Sequence, residues 1–314
     1  MLIHYLKIAF RNLRKYKKQS VISIIGLAIG FTCLVLSVFW TDYERSYDNF
    51  HPKADRLYRV RIIDKSRESG FTPITPYPLA AFLKSTFPEI EDACVIQNSG
   101  VFIEMNGKPE MFGVIRTDAS FPEMFDLPKS LQSFVFLPPY SAEKERVNPT
   151  VLETAISRRA AQKLFGTEDV VGKEIKTLSG QTLSIRFVVN EWPDNTEIPF
   201  DFIYPQQGNT YWNASSFLTY ILLNNQVDVK NFKEKLEGQV FKPGNMISNM
   251  QLLMTPVTKL HYQLPDRTTG MKYRHIQIYA LSGILVLSAS GQKYRTLDTK
   301  KLIIRKKLYL CNCK

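Results

Sequence analysis

From Val21 to Trp40 the chain reads VISIIGLAIGFTCLVLSVFW, twenty residues without a charge. Wound as an α-helix at about 1.5 Å per residue, such a run reaches about 30 Å, the thickness of a bilayer's hydrocarbon core. The pattern predicts a membrane span over residues 19–41. A cleaved export signal has a shorter apolar run ending on small residues, whereas this one ends on Trp40 and continues Thr41, Asp42, Tyr43, Glu44, which predicts an uncleaved anchor. Ahead of it, Leu2, Leu6, Phe10 and Leu13 recur at helical spacing among basic residues, so residues 1–18 read as an amphipathic helix on the cytoplasmic membrane surface.

Beyond Trp40 the periodicity alternates between strand and helix with Pro and Gly punctuation, which predicts an α+β domain outside the membrane. Strands are expected at Arg56–Ile63, Ala93–Gln97, Val101–Met105, Met111–Arg116, Ile185–Asn190, Phe217–Leu223 and Met250–Met254, where β-branched and aromatic residues gather. Helices are expected at Pro78–Thr86, Ser157–Phe165 and Val229–Val240, the second between a Ser cap and Gly166. Leu127–Pro149, with four prolines, reads as an irregular excursion. Ile276–Leu287 begins like a second span but stops after twelve residues, so 276–289 reads as the start of such a helix and 290–314 as a divergent basic tail.

The net charge of +12 sits at the two ends. Residues 1–18 hold six basic side chains and no acidic one, and 292–314 hold eight against Asp298, leaving the stretch between them nearly neutral. A nucleic-acid-binding face would need a basic stripe in the body of the domain, so none is expected. Arg11, Arg14, Lys15, Lys17 and Lys18 directly precede the span, and the positive-inside rule then puts the N-terminus in the cytoplasm and the main domain on the far side. Gly26 and Gly30 form a small-xxx-small pair on which a second membrane helix could pack.

No phosphate loop GxxxxGK[ST], no GxSxG and no HExxH occurs. His4, His51, His261 and His275 lack ligand spacing, and Cys33, Cys94, Cys311 and Cys313 form no disulfide framework. The chain is therefore expected to have no catalytic centre, no metal and no cofactor. Glu44, Asp48 and Asp55, in a helix-like exit from the membrane, read as a solvated, salt-bridged face rather than an acid-base pair. Tyr47, Phe50, Leu57 and Tyr58 read as packing that seats the domain on its helix. Trp192-Pro193-Asp194-Asn195 reads as a turn after the strand ending at Asn190.

FRNLRKYKKQSVISIIGLAIGF (Phe10–Phe31) and ERSYDNFHPKADRLYRV (Glu44–Val60) resemble the opening of MacB/FtsX-type ABC transporter permeases. FPEIEDA (Phe87–Ala93), TDASFPEMFDLP (Thr117–Pro128), ISRRAAQKLFGTEDVVGKEI (Ile156–Ile175), VVNEWPDNTEIPFDFIYP (Val188–Pro205) and MTPVTKLHYQLPD (Met254–Asp266) continue the likeness in order through that family's periplasmic core domain. The resemblance implies a two-lobed extracytoplasmic domain over 42–275. A discontinuous lobe would take in about 42–97 and 217–275, with another lobe, about 98–216, inserted. It implies a non-enzymatic permease subunit in a bacterial inner membrane, moved by a separate ABC ATPase subunit and paired with a second copy or permease, for export or efflux. The likeness stops near Ser288, so the chain is expected to be a truncated or frameshifted form. A single-pass sensor with a ligand-binding outer domain, or a membrane-anchored hydrolase, would share the same span and neutral domain.

Overall fold

The computed structural model describes residues 4, 11, 14–15, 17–65, 70–141, 149–242, 249–263, 278 and 281–282. Most of the amphipathic leader, most of Ile276–Leu287 and the whole basic tail lie outside the described residues. The chain divides into two compact units, Met1–Arg45 with Thr269–Lys314, and Ser46–Thr268.

In the first unit, α1 runs from Lys17 to Arg45. Apolar side chains stand exposed over most of its circumference, among them Ile24, Ile25, Leu27, Phe31, Leu36 and Phe39, while Gly26, Gly30 and Leu34 mark a less exposed face. A helix apolar all round has no polar face to offer water, and its stable surroundings are lipid or a protein core. Three hydroxyls on it are satisfied within the helix: Thr32 donates to the Ala28 carbonyl at 2.9 Å, Ser37 to Cys33 at 2.8 Å and Thr41 to Ser37 at 2.7 Å. Such i to i−4 bonds spare these three hydroxyls the need for water. Among the described residues it is the one helix long and apolar enough to cross a membrane.

The second unit is built on one mixed sheet. Its strands are β1 (Leu57–Ile63), β2 (Phe71–Thr72), β3 (Thr75–Pro76), β4 (Ile90–Met105), β5 (Lys108–Thr117), β6 (Val151–Ser157), β7 (Glu174–Lys176), β8 (Thr182–Val189), β9 (Phe202–Pro205), β10 (Ser215–Leu223), β11 (Val240–Phe241) and β12 (Met250–Pro256). The order is β11-β12-β1-β10-β4-β5-β9-β6-β8-β7, with β2 on β1 and β3 on β10. Pairing is antiparallel except for β5 with β9 and β6 with β8. The helices are α2 (Leu79–Thr86), α3 (Phe121–Met124), α4 (Arg158–Phe165), α5 (Val229–Glu237) and α6 (Leu260–Gln263).

Three buried clusters fill the unit. One joins Val60, Leu79, Leu83, Ile221, Leu236 and Leu252, packing α2 and α5 on the β12-β1-β10-β4 end of the sheet. Another joins Ile103, Phe112, Ala160, Val170, Leu183 and Phe202, packing α4 on the β5-β9-β6-β8 end. Between them, Leu57, Ile96, Ile115, Phe125, Ile203 and Tyr220 form a third that draws on both ends.

The α+β expectation holds, with the apolar helix at the N-terminal side. Ser157 caps α4, its Oγ accepting from the Ala160 N–H at 3.1 Å, and Gly166 ends it in the left-handed region at φ 69°. Two expectations are corrected. Ala93–Gln97 and Val101–Met105 are one strand, because Asn98, Ser99 and Gly100 keep their register against Ile115, Val114 and Gly113 on β5. The Val229–Val240 helix stops at Glu237, since Val240 pairs with Gln251 on β12 instead.

Candidate functional site

The chain leaves α1 at Arg45 and passes through turns from Ser46 to Arg56 before entering β1. In these turns Asp48 takes a left-handed conformation, φ 56°, which Asp tolerates better than most residues. That conformation presents both its backbone and its side chain to the segment after β8. The Asp48 N–H donates to the Asn195 carbonyl at 3.0 Å. Asn195 Nδ2 in return donates to the Ser46 carbonyl at 3.0 Å and to Ser46 Oγ at 2.8 Å. Thr196 Oγ1 donates to Asp48 Oδ1 at 2.6 Å, and the Glu197 N–H lies 3.3 Å from each carboxylate oxygen.

Two histidines flank this exchange. Glu197 Oε1 meets His261 Nδ1 at 2.7 Å, and the His261 ring stacks on Tyr47 with centroids 3.5 Å apart and planes 13° from parallel. On the other side His51 Nε2 lies 3.8 Å from Asp48 Oδ1, with the ring packed edge-on against Trp192 at 4.6 Å and Phe125 at 5.2 Å. Trp192 also contacts Phe50, Phe121 and Phe200, so aromatic rings pack around the His51 imidazole.

Burial sets the charges. Asp48 is 1% and His51 4% exposed. Loss of water lifts the Asp48 carboxyl from 3.8 to about 6, against the opposing hydrogen bonds from Thr196 and Glu197. The same loss lowers His51 from 6.5 to about 4. At pH 7 Asp48 is then ionised and His51 neutral, so their contact is not an ion pair. Tyr220, buried at the floor and within the field of Arg59, Asp48 and Glu197, is pushed up to about 12, chiefly by burial.

Asp48 lies buried at the centre of these contacts, and most of the polar groups around it are bonded to one another. The chemistry is that of a fastening: a clasp that locks residues 46–51 to 192–197 and, through Glu197, to His261. Among the described residues no group of three or more His, Cys, Asp or Glu is placed to hold a metal.

The clasp corrects the reading of the acidic exit. Glu44 and Asp48 are buried and only Asp55 is exposed, and Ser46–Arg56 is a run of turns rather than a helix. Burial arises because a segment almost 150 residues further along covers Asp48, a partner that local pattern does not reveal. The WPDN segment is a bend whose partner is the protein itself. Gly26 and Gly30 lie one turn apart on α1, and a Cβ at Gly26 would meet nothing within 4 Å. Arg11, Arg14, Lys15, Lys17 and Lys18 are helical and exposed.

The family model of the MacB-like periplasmic core domain matches residues 20–239, from within α1 to just past α5. The chain belongs to this family. Three of the blocks that carry the resemblance in sequence, Glu44–Val60, Val188–Pro205 and Met254–Asp266, supply the two sides and the flank of the clasp. These residues lie within those blocks of this MacB-like chain, although nothing local marks Thr196, Glu197 or His261 as partners of Asp48.

Solved structures that this MacB-like chain is similar to include a domain of a Porphyromonas gingivalis protein described as a permease, with 19% identity and a TM-score of 0.49, covering 66% of this chain and 92% of that one. The periplasmic region of MacB from Actinobacillus actinomycetemcomitans gives 11% identity and 0.43 over 70% of this chain and 98% of that one. The extracellular domain of the noncanonic ABC-type transporter YknZ from Gram-positive bacteria gives 11% and 0.39 over 56% and 88%. No curated protein matches the chain. Family membership rests on the sequence match.

Proposed function

We propose that this chain serves as a permease subunit of a MacB/FtsX-type ABC transporter in a bacterial inner membrane. Its N-terminus is cytoplasmic, its main domain, 42–275, is periplasmic, and a separate ATPase subunit supplies the work for export or efflux. The observation that carries this reading is the position of the clasp, which begins at Ser46, the residue after the last of α1. A force arriving along α1 enters the domain there. Six hydrogen-bond contacts between residues 46–48 and 195–197 resist its dissipation in a loose linker. The outer domain then works as a discontinuous lobe, about 42–97 with 217–275, and an inserted lobe, about 98–216, moved together.

Pairing of two permease helices is proposed at Gly26 and Gly30, with lipid around the remaining faces. Cysteines placed there should crosslink two copies in native membranes, and exclusively monomeric product would refute the pairing.

The test of the main reading is isolation of the tagged full chain from native membranes. An ABC ATPase should co-purify, and Asn195→Ala should leave that association intact while lowering transport-coupled ATP turnover. Intact chain recovered repeatedly without any ATPase would overturn the proposal.

A further inference from the structure

The sheet end that carries β5, β9 and β6 holds a cleft of about 290 Å³, close to the lower bound for small-molecule sites. Its walls are largely apolar, with Val135, Leu137, Val151 and Leu152 on one side and Tyr204 and Pro205 on the other. Val135 and Val151 are 66% and 46% exposed, so the apolar surface continues to the mouth.

One cation faces this space. Arg116 stands near the end of β5, in register with Gln97 on β4 and Tyr204 on β9, neither of them charged. Its guanidinium lies over the Tyr204 ring, 5.3 Å from the centroid, and its Nε is buried without a hydrogen-bond partner. Among the described residues no carboxylate pairs with it. The one acidic group lining the cleft, Glu153, is engaged by Arg186 Nε at 3.4 Å. A guanidinium held beside apolar walls with donors unspent is a receptor for an anion, and its planar fork matches a carboxylate. A phosphate dianion would need a second cation and would face Glu153.

We propose that this cleft binds a small amphiphilic monocarboxylate, its head on Arg116 and its apolar body along Val135, Leu137, Val151 and Leu152. The site is separate from the clasp, and its occupancy does not depend on any ATPase.

The test uses the full chain in lipid nanodiscs, with empty discs as the blank for partitioning. Octanoate is compared with octanamide, which has the same shape and no charge. Calorimetry should show octanoate binding roughly tenfold more tightly than octanamide, the difference expected when a hydrogen bond to a charged group is lost. Arg116→Gln should erase that preference, and Val151→Trp at the mouth should weaken both ligands. A readout on the unaltered chain guards against a misfolded variant: octanoate, and not octanamide, should shield Arg116 from phenylglyoxal, followed by mass spectrometry of its peptide. Equal binding of the two probes, binding of neither, or modification of Arg116 unaffected by octanoate would each overturn the site.

Discussion

Replacing Asp48 by Asn keeps the shape of the clasp and removes its buried charge. The Asn carbonyl oxygen can accept from Thr196 Oγ1 and the Glu197 N–H as Asp48 Oδ1 does, and Asn tolerates the left-handed backbone at φ 56°. What disappears is ionisation. Folding lifts Asp48 from 3.8 to about 6, so the folded state holds an extra proton between those values and stability falls as pH rises through that window. At 1.36 kcal/mol per pH unit, the burden at pH 7 is on the order of 3 kcal/mol. His51 has the opposite sign. Its folded value near 4 lies below its ordinary 6.5, so the unfolded chain binds a proton that the buried ring refuses, and stability falls as pH drops through that range. The two slopes oppose each other from pH 4 to 6, which should leave the wild-type domain nearly flat there. Urea unfolding of the 42–275 fragment, repeated from pH 4 to 8, checks this. Asp48→Asn should match the wild type near pH 4, gain on the order of 3 kcal/mol by pH 7, and show the His51 acid limb unmasked. A variant less stable than the wild type at pH 7, with the same gap at pH 4, would refute the burial argument.

Three further outcomes follow from particular contacts. A Cβ at Gly208 would fall inside the Tyr77 ring, which is itself packed edge-on to Phe217 at 5.2 Å, so Gly208→Ala should cost about 1–3 kcal/mol in denaturant unfolding, and clearly less when it is made on a Tyr77→Ala background, where the clash is gone. Asp228 caps α5, accepting from the Lys230 N–H at 3.0 Å and the Asn231 N–H at 3.1 Å, and Asp228→Ala should lower stability by about 1 kcal/mol, while Asp228→Ser should restore most of it. Thr196→Val should cost about 1–3 kcal/mol, because Asp48 Oδ1 loses its 2.6 Å donor inside a closed site. The same variant made on Asp48→Asn should cost less, since the acceptor is then neutral.

The elements that local pattern revealed are those whose causes are local. β1 followed from a run of β-branched and aromatic residues, and α4 from its Ser157 cap and its Gly166 stop. Asn98-Ser99-Gly100 disfavour strands, so local pattern breaks β4 there, and ten cross-strand pairs with β5 outweigh that preference. β9 is four residues, Phe202–Pro205, too short to announce itself, and it exists because it fits parallel against β5 and antiparallel against β6. The clasp was hidden for the same reason in a sharper form. Asp48 among Ser46, Asn49 and Lys53 looks like an exit into water, and only closure of Asn195–Glu197 over it makes it interior. Leu57 and Tyr58, read as seating the domain on its helix, are buried in the sheet domain's own clusters, and Tyr47 and Phe50 pack on His261 and Trp192.

The central claim is that α1 crosses the bilayer and the clasped domain stands on its outer side. It is tested most directly in spheroplasts carrying the full chain with Asp169→Cys, an exposed position, and with Cys311 and Cys313 changed to Ser. A membrane-impermeant maleimide should label that cysteine in intact spheroplasts as completely as after lysis. Labelling that appears only once the membrane is broken would contradict the account.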